Sequence, residues 1–260
     1  MANKTRPPTQ PRPPRKSALA PPAVDSDGNQ VHNEILLALP PKERAFLFPK
    51  LEFMRLKAHH VLHEPGDSLK SAYFPDSGLV SILSVFPDGK SVEVGLVGRE
   101  GFVGSPLVVG FRTSPTRAIG QIAGTVFRVD AETLKRVLLE CPVLERQLQQ
   151  FAQIMAMQVT QIAACNRLHE VNQRLARWLL MSADRVGSNS LALTHELLGQ
   201  MLGTRRSSVT VANGVLQKAG LITLTRGDVK IINRRKLEAA ACDCYGIMVM
   251  QVQEWRNQAQ

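Results

Sequence analysis

No stretch of this 260-residue chain approaches the roughly 18 consecutive apolar residues that a membrane-spanning helix needs. Its basic N-terminus is followed by no apolar core, so it does not read as a secretory signal. A cytoplasmic protein with no membrane partner is expected. Cysteine is sparse: Cys141, Cys165, Cys242 and Cys244. Cys242-x-Cys244 is too tight for the usual C-x₂-C knuckle and has no second half. The cysteines therefore read as small buried hydrophobes. No metal is expected, and no cofactor can be named. The histidines form no H-E-x-x-H set, and His59, His60 and His63 read as solvated side chains of a loop or strand edge. There is no nucleophile–base pair. Gly98 to Gly104 lacks the Lys-Ser/Thr ending of a phosphate loop. An enzyme is not expected.

Acids are short too. Lys and Arg number 32 against 22 Asp and Glu, a formal net charge of +10. That excess points to a polyanionic partner. Before Asp25 there is no acid, while Lys4, Arg6, Arg12, Arg15 and Lys16 alternate with prolines. Such a segment cannot bury enough apolar area to offset chain entropy, so residues 1–30 are expected to be a disordered basic tail.

What is present centres on Leu193 to Ile222. Leu193, Leu197, Leu198, Met201 and Leu202 recur at helical spacing. Thr194 is placed to cap that helix, and Gly203 to end it. A second helix starts near Arg206, with Val209, Ala212, Val215 and Leu216 inward. Arg205, Arg206, Ser207, Ser208, Thr210, Val211 and Asn213 form the opposite face. Two strand-like runs follow, Thr223-Leu224-Thr225 and Val229-Lys230-Ile231-Ile232, around Arg226-Gly227-Asp228. This is the pattern of a winged helix-turn-helix, whose second helix enters a major groove. Leu193 to Lys236 carries eight Lys/Arg against Glu196 and Asp228, which adds the charge that DNA binding requires.

Upstream, residues Asn33 to Leu47 read as one short helix. From Leu51 to about Val129, short alternating runs are separated by Pro65-Gly66, Pro75-Asp76-Ser77-Gly78 and Pro87-Asp88-Gly89. Many short strands with regular turns predict an antiparallel barrel or sandwich. Asp130 caps a short helix. Pro142 opens a long one, to about Val171, with Leu148, Phe151, Met155, Val159 and Ile162 at three- and four-residue spacing. That stripe suits packing on the barrel and pairing with a second copy, so a homodimer interface is expected there. A helix from Asn172 to Val186 leads into the winged motif, and another follows the wing.

This order, with the helix-turn-helix stretch and Gly98-Arg99-Glu100-Gly101-Phe102-Val103-Gly104, resembles the Crp/Fnr family of bacterial transcription regulators over about Asn33 to Lys236. The resemblance implies an α+β chain. A β-roll sensor domain like those that bind cyclic nucleotides would span residues 31–141, a dimerisation helix 142–171 and a winged helix-turn-helix domain 172–260. It implies a homodimer on an inverted-repeat site in double-stranded DNA, with RNA polymerase as a further partner. By position, Thr194 is similar to the family's phosphate contact and Arg206 to its guanine-reading arginine, with Arg205 and Lys230 as added contacts. Ser207 and Val211 stand where the family often has Glu and Arg, which leaves the operator sequence open. Gly104-Ser105 and Arg117-Ala118 occupy the places of the Gly-Glu and Arg-Ser pairs that hold a cyclic nucleotide. Thr160 occupies that of the hydroxyl that meets its base. The arginine is kept, but the carboxylate and serine are not, so cyclic AMP is disfavoured and the effector is unidentified. The other function class open to such a sequence is a nucleotide-sensing regulatory subunit acting through protein contacts.

Overall fold

The structure is a computed structural model, described here for residues 24–259. The expected tail therefore lies outside the described residues except for its last part. There Val24 bridges Gln30 across a turn held by Asp25, whose Oδ1 accepts from the Asp27 and Asn29 amides.

Two helices, α1 (Glu34–Ala38) and α2 (Pro41–Leu47), replace the single one expected. Pro40-Pro41 explains the break, because proline disfavours helical backbone in the residue before it. The barrel is two antiparallel sheets. One has the order β1 (Glu52–Leu56), β7 (Gly124–Asp130), β3 (Ser71–Pro75). The other runs β2 (Val61–His63), β6 (Arg117–Ile122), β4 (Leu79–Val85), β5 (Ser91–Val97). Phe74, Phe102 and Phe127 are fully buried between barrel and helices. A short helix α3 (Ser105–Val108) follows β5, and α4 (Ala131–Glu140) follows β7.

The long helix is α5 (Pro142–Leu168). It lacks a side-chain cap of its own. Glu43 of α2 supplies one, its carboxylate accepting from the Val143 and Leu144 amides at 3.0 and 2.9 Å. The chain bends at His169-Glu170 into α6 (Val171–Val186), which starts with a capping box between Glu170 and Gln173. The DNA-type module comprises β8 (Ser190–Ala192), α7 (His195–Met201), α8 (Arg206–Lys218), β9 (Ile222–Thr225) and β10 (Asp228–Ile231). Its three strands pair as β8-β10-β9, and β8 was not expected from the sequence. Two helices end the chain, α9 (Arg234–Ala240) and α10 (Cys244–Ala259).

The expected self-pairing stripe is used inside the chain. Leu148, Phe151 and Ile162 are buried, and Phe151 packs between Phe102 and Trp255 with centroids 5.6 and 6.0 Å away. Met155 is half-buried against the barrel, and Val159 is exposed. The physical reason is economy of surface: the most apolar face of α5 meets the barrel. A different face is left outward, Gln149, Gln153, Ala156, Thr160 and Ala163, again at spacings of three and four. Gly101 records how close α5 comes, since a Cβ there would lie 2.0 Å from the Phe151 ring. Trp255 brings α10 back to the barrel core, a role the sequence did not suggest.

Candidate nucleic-acid interface and sensor site

Thr194 accepts from the Leu197 amide at 3.2 Å, so it caps α7 as expected. Its hydroxyl proton stays available, because a hydroxyl donates and accepts independently. Arg205, the N-cap residue of α8, and Arg206, Ser207, Thr210 and Val211 are exposed, with Ser208 half-buried. Thr210 donates back to the Arg206 carbonyl at 3.1 Å. Lys230 is exposed on β10 of the wing. The expected contact residues at the start of α8 and on the wing thus lie at the protein surface.

Two positions on α8 differ from expectation. Asn213 is buried, and Val215 is 47% exposed. Positions 209, 212, 213 and 216 fall on one side of a 3.6-residue turn, so 213 belongs to the inner face and 215 does not.

The N-terminus of α8 shares a cleft of about 1400 Å³ with the barrel hairpin, Phe86 to Val92. Gln200 donates to Ser91, and Gly203 packs against Val92. Deeper in, two buried contacts join the barrel to α6. Trp178 Nε1 donates to Glu93 Oε1 at 2.7 Å, and Arg185 Nε lies 2.7 Å from Glu100 Oε1. Glu100 belongs to the Gly98–Gly104 stretch, and Gly98 leaves room for the Arg185 stem: a Cβ there would stand 2.7 Å from it.

The expected effector residues lie on three elements, α3, β6 and α5. Gly104 and Ser105 start α3, and Ala118 is buried. The Arg117 guanidinium is held by Glu64, Nε to Oε2 at 2.8 Å. Thr160 is exposed and donates to the Ala156 carbonyl of its own helix. No hydrogen bond connects these three places to one another among the described residues. Of the histidines, His63 is half-buried on β2, where burial pushes its pKa down, while His59 and His60 are exposed in the preceding turn.

The four cysteines are buried, as expected. Cys165, Cys242 and Cys244 are buried together, with His169 beside them. Local knuckle spacing cannot register a set drawn from two segments 77 residues apart.

Residues 53–141 match the model of a cyclic nucleotide-binding domain, and residues 173–240 that of a Crp-like helix-turn-helix domain. The global nitrogen regulator of Synechococcus elongatus is 24% identical over 192 residues, covering 70% of this chain and 86% of that protein. Two solved structures share the fold. The c-di-GMP responsive regulator CLP of Xanthomonas campestris has a TM-score of 0.63 at 17% identity, over 75% of this chain and 100% of that one. FixK2 of Bradyrhizobium japonicum has a TM-score of 0.61 at 15% identity, over 74% of this chain and 98% of that one.

Proposed function

The chain belongs to the Crp/Fnr family of transcription regulators, and from that membership we propose that it binds an inverted-repeat DNA site as a homodimer. The observation that carries the proposal is the cluster at the start of α8, exposed Arg205, Arg206 and Ser207 with half-buried Ser208, together with the exposed wing cation Lys230. Arginine forks match guanine O6 and N7 bidentately, while wing lysines neutralise phosphates. Thr194 adds a hydroxyl donor for the backbone. The protein acts by binding, in the cytoplasm, with RNA polymerase as the partner that reads the outcome. No helix among the described residues is long and apolar enough to cross a membrane.

The homodimer forms through the outward face of α5, Gln149, Gln153, Ala156, Thr160 and Ala163, with Met157 and Val159 at its edges. Small residues there let two copies approach closely. The sensor takes an effector other than a cyclic mononucleotide, because Glu64 both neutralises Arg117 and would repel a phosphate. Its signal passes through the barrel contacts of α6 and α7.

The test is fluorescence anisotropy with duplexes from a randomised-site selection, read across salt concentrations. A selected inverted repeat, with affinity falling steeply as salt rises, is the expected result. Salt-independent or undetectable duplex binding would instead favour a regulatory subunit that acts through protein contacts.

A further inference from the structure

The bend between α5 and α6 holds a second chemical feature. Cys165 lies in the last turn of α5 and His169 follows it by four residues, at the bend itself. Cys242 and Cys244 flank the break between α9 and α10. Cys165 Sγ is 3.5 Å from Cys242 Sγ, and Cys244 Sγ is 3.6 Å from His169 Nδ1. All four ligand atoms lie within 4.8 Å of one another. Zinc–sulfur bonds of about 2.3 Å and zinc–nitrogen bonds of about 2.0 Å, set tetrahedrally, place neighbouring ligand atoms roughly 3.5–3.8 Å apart. The observed separations fit that cage around one ion.

We propose that Cys165, His169, Cys242 and Cys244 form a mononuclear Cys₃His site for a divalent transition ion, zinc by its ligand chemistry, which clamps the α5–α6 bend to the C-terminal arm. Three observations beyond the distances support it. The three sulfurs form a cluster of their own, separate from both hydrophobic cores. Gln161 Nε2 donates to Cys244 Sγ at 3.1 Å, the outer hydrogen bond that orients a metal-bound thiolate. Arg174 and Arg177 are buried, and neither has a carboxylate within 4 Å among the described residues.

The charge balance bears on Arg174. Binding one divalent ion to three thiols and a neutral imidazole releases three protons to solvent. The product carries a net charge of −1. A buried anion of that kind would offset the positive charge of buried Arg174, whose Nη2 donates only to the neutral Leu202 carbonyl among the described residues. A Cys165–Cys242 disulfide would leave the convergence of His169 and Cys244 on the same sulfurs unexplained. The mechanical consequence follows from the positions: the site ties the end of the long helix to the segment between α9 and α10, so it fixes the angle at which the winged module leaves α5.

The experiment uses the full chain, produced without a metal-affinity tag in zinc-supplemented medium. Elemental analysis should find about one zinc per chain, released by a mercurial that titrates thiols. Cys242→Ser and Cys244→Ser should each lower zinc content about 10-fold or more, whereas Cys141→Ser keeps it. Should the two serine variants fail to fold, cobalt(II) exchange into the wild type decides: a tetrahedral ligand-field spectrum with intense sulfur-to-cobalt charge transfer supports the site. Three results would overturn it. They are reduced protein that takes up neither zinc nor cobalt, a native mass two hydrogens lower from a Cys165–Cys242 disulfide, or iron accompanied by acid-labile sulfide.

Discussion

Trp178 of α6 donates its indole N–H to the buried carboxyl of Glu93 on β5, so the sensor and the DNA-binding module share a buried hydrogen bond. Ser81 Oγ lies 2.7 Å from the other Glu93 oxygen and 3.4 Å from Gln121 Oε1. The Ser81 hydroxyl donates to that carboxylate oxygen, as the Trp178 indole does to the other. Burial raises the Glu93 pKa to about 7, against smaller opposing effects of Ser81, Trp178, Arg177 and Arg185.

The sign of the pH effect follows. The folded protein holds the Glu93 proton at a pH where the unfolded chain, near the ordinary carboxyl value, has lost it. Stability from this group is therefore fully present below about 4.5 and is lost as pH rises through about 7. At 1.36 kcal/mol per pKa unit the swing is of order 3 kcal/mol. Thermal melts of wild type and Glu93→Gln across that window should diverge, the variant losing this part of the slope. A variant with the wild-type slope would remove Glu93 from the account.

The dimer proposal separates two faces of α5. Ala156→Arg together with Ala163→Arg, both on the exposed side, should give folded monomers in sedimentation velocity. Phe151→Glu should instead unfold the barrel, because Phe151 is core, and truncating such a residue alone costs about 3–5 kcal/mol. A dimer that survives both arginines would place the interface off this face.

Calorimetry should detect no tight binding of cyclic AMP. The Glu64 carboxylate already occupies the Arg117 guanidinium, and Ser105 and Ala118 offer no replacement for the missing partners. Micromolar affinity that is lost in Arg117→Ala would reverse this and make Glu64 a movable gate.

Periodicity and turn residues carried the element types well. Thr194, Gly203 and Arg206 marked the limits of the helix-turn-helix, because caps and glycine breaks are local. The alternating runs that begin at Glu52, Leu79, Ser91, Ala118 and Thr125 gave five of the barrel strands, β1, β4, β5, β6 and β7. Val61–His63 and Ser71–Pro75 escaped: one is three residues long, and the other ends in proline. What the sequence could not supply was the choice of partner. The stripe Leu148, Phe151, Ile162 was visible as apolar, but whether it met the barrel or another copy depends on tertiary packing. The same limit hid the cysteine–histidine cluster, whose halves come from segments far apart in the chain. It also hid Glu93, an ordinary strand residue until Trp178 closes over it.

Readout of DNA gives the sharpest test of the winged module. Two recognition helices in a dimer fall roughly one duplex turn, about 34 Å, apart, so each half-site is read by one α8. Arg206 opens that helix with its side chain in solvent. If it forks onto guanine, Arg206→Ala should cost about 1–3 kcal/mol per half-site and relax preference at one base pair in each half. Lys230→Ala should weaken all sequences alike and reduce the salt slope by about one, since a phosphate contact carries no base identity. Thr194→Ala should do likewise, with an added loss of about 1 kcal/mol of fold stability, because its oxygen also caps α7 through the Leu197 amide. Thermal melts isolate that second effect, and randomised-site selection isolates the first. Unchanged base preference in Arg206→Ala would assign Arg206 to the backbone and make Arg205, its exposed neighbour at the N-cap, the next residue to vary.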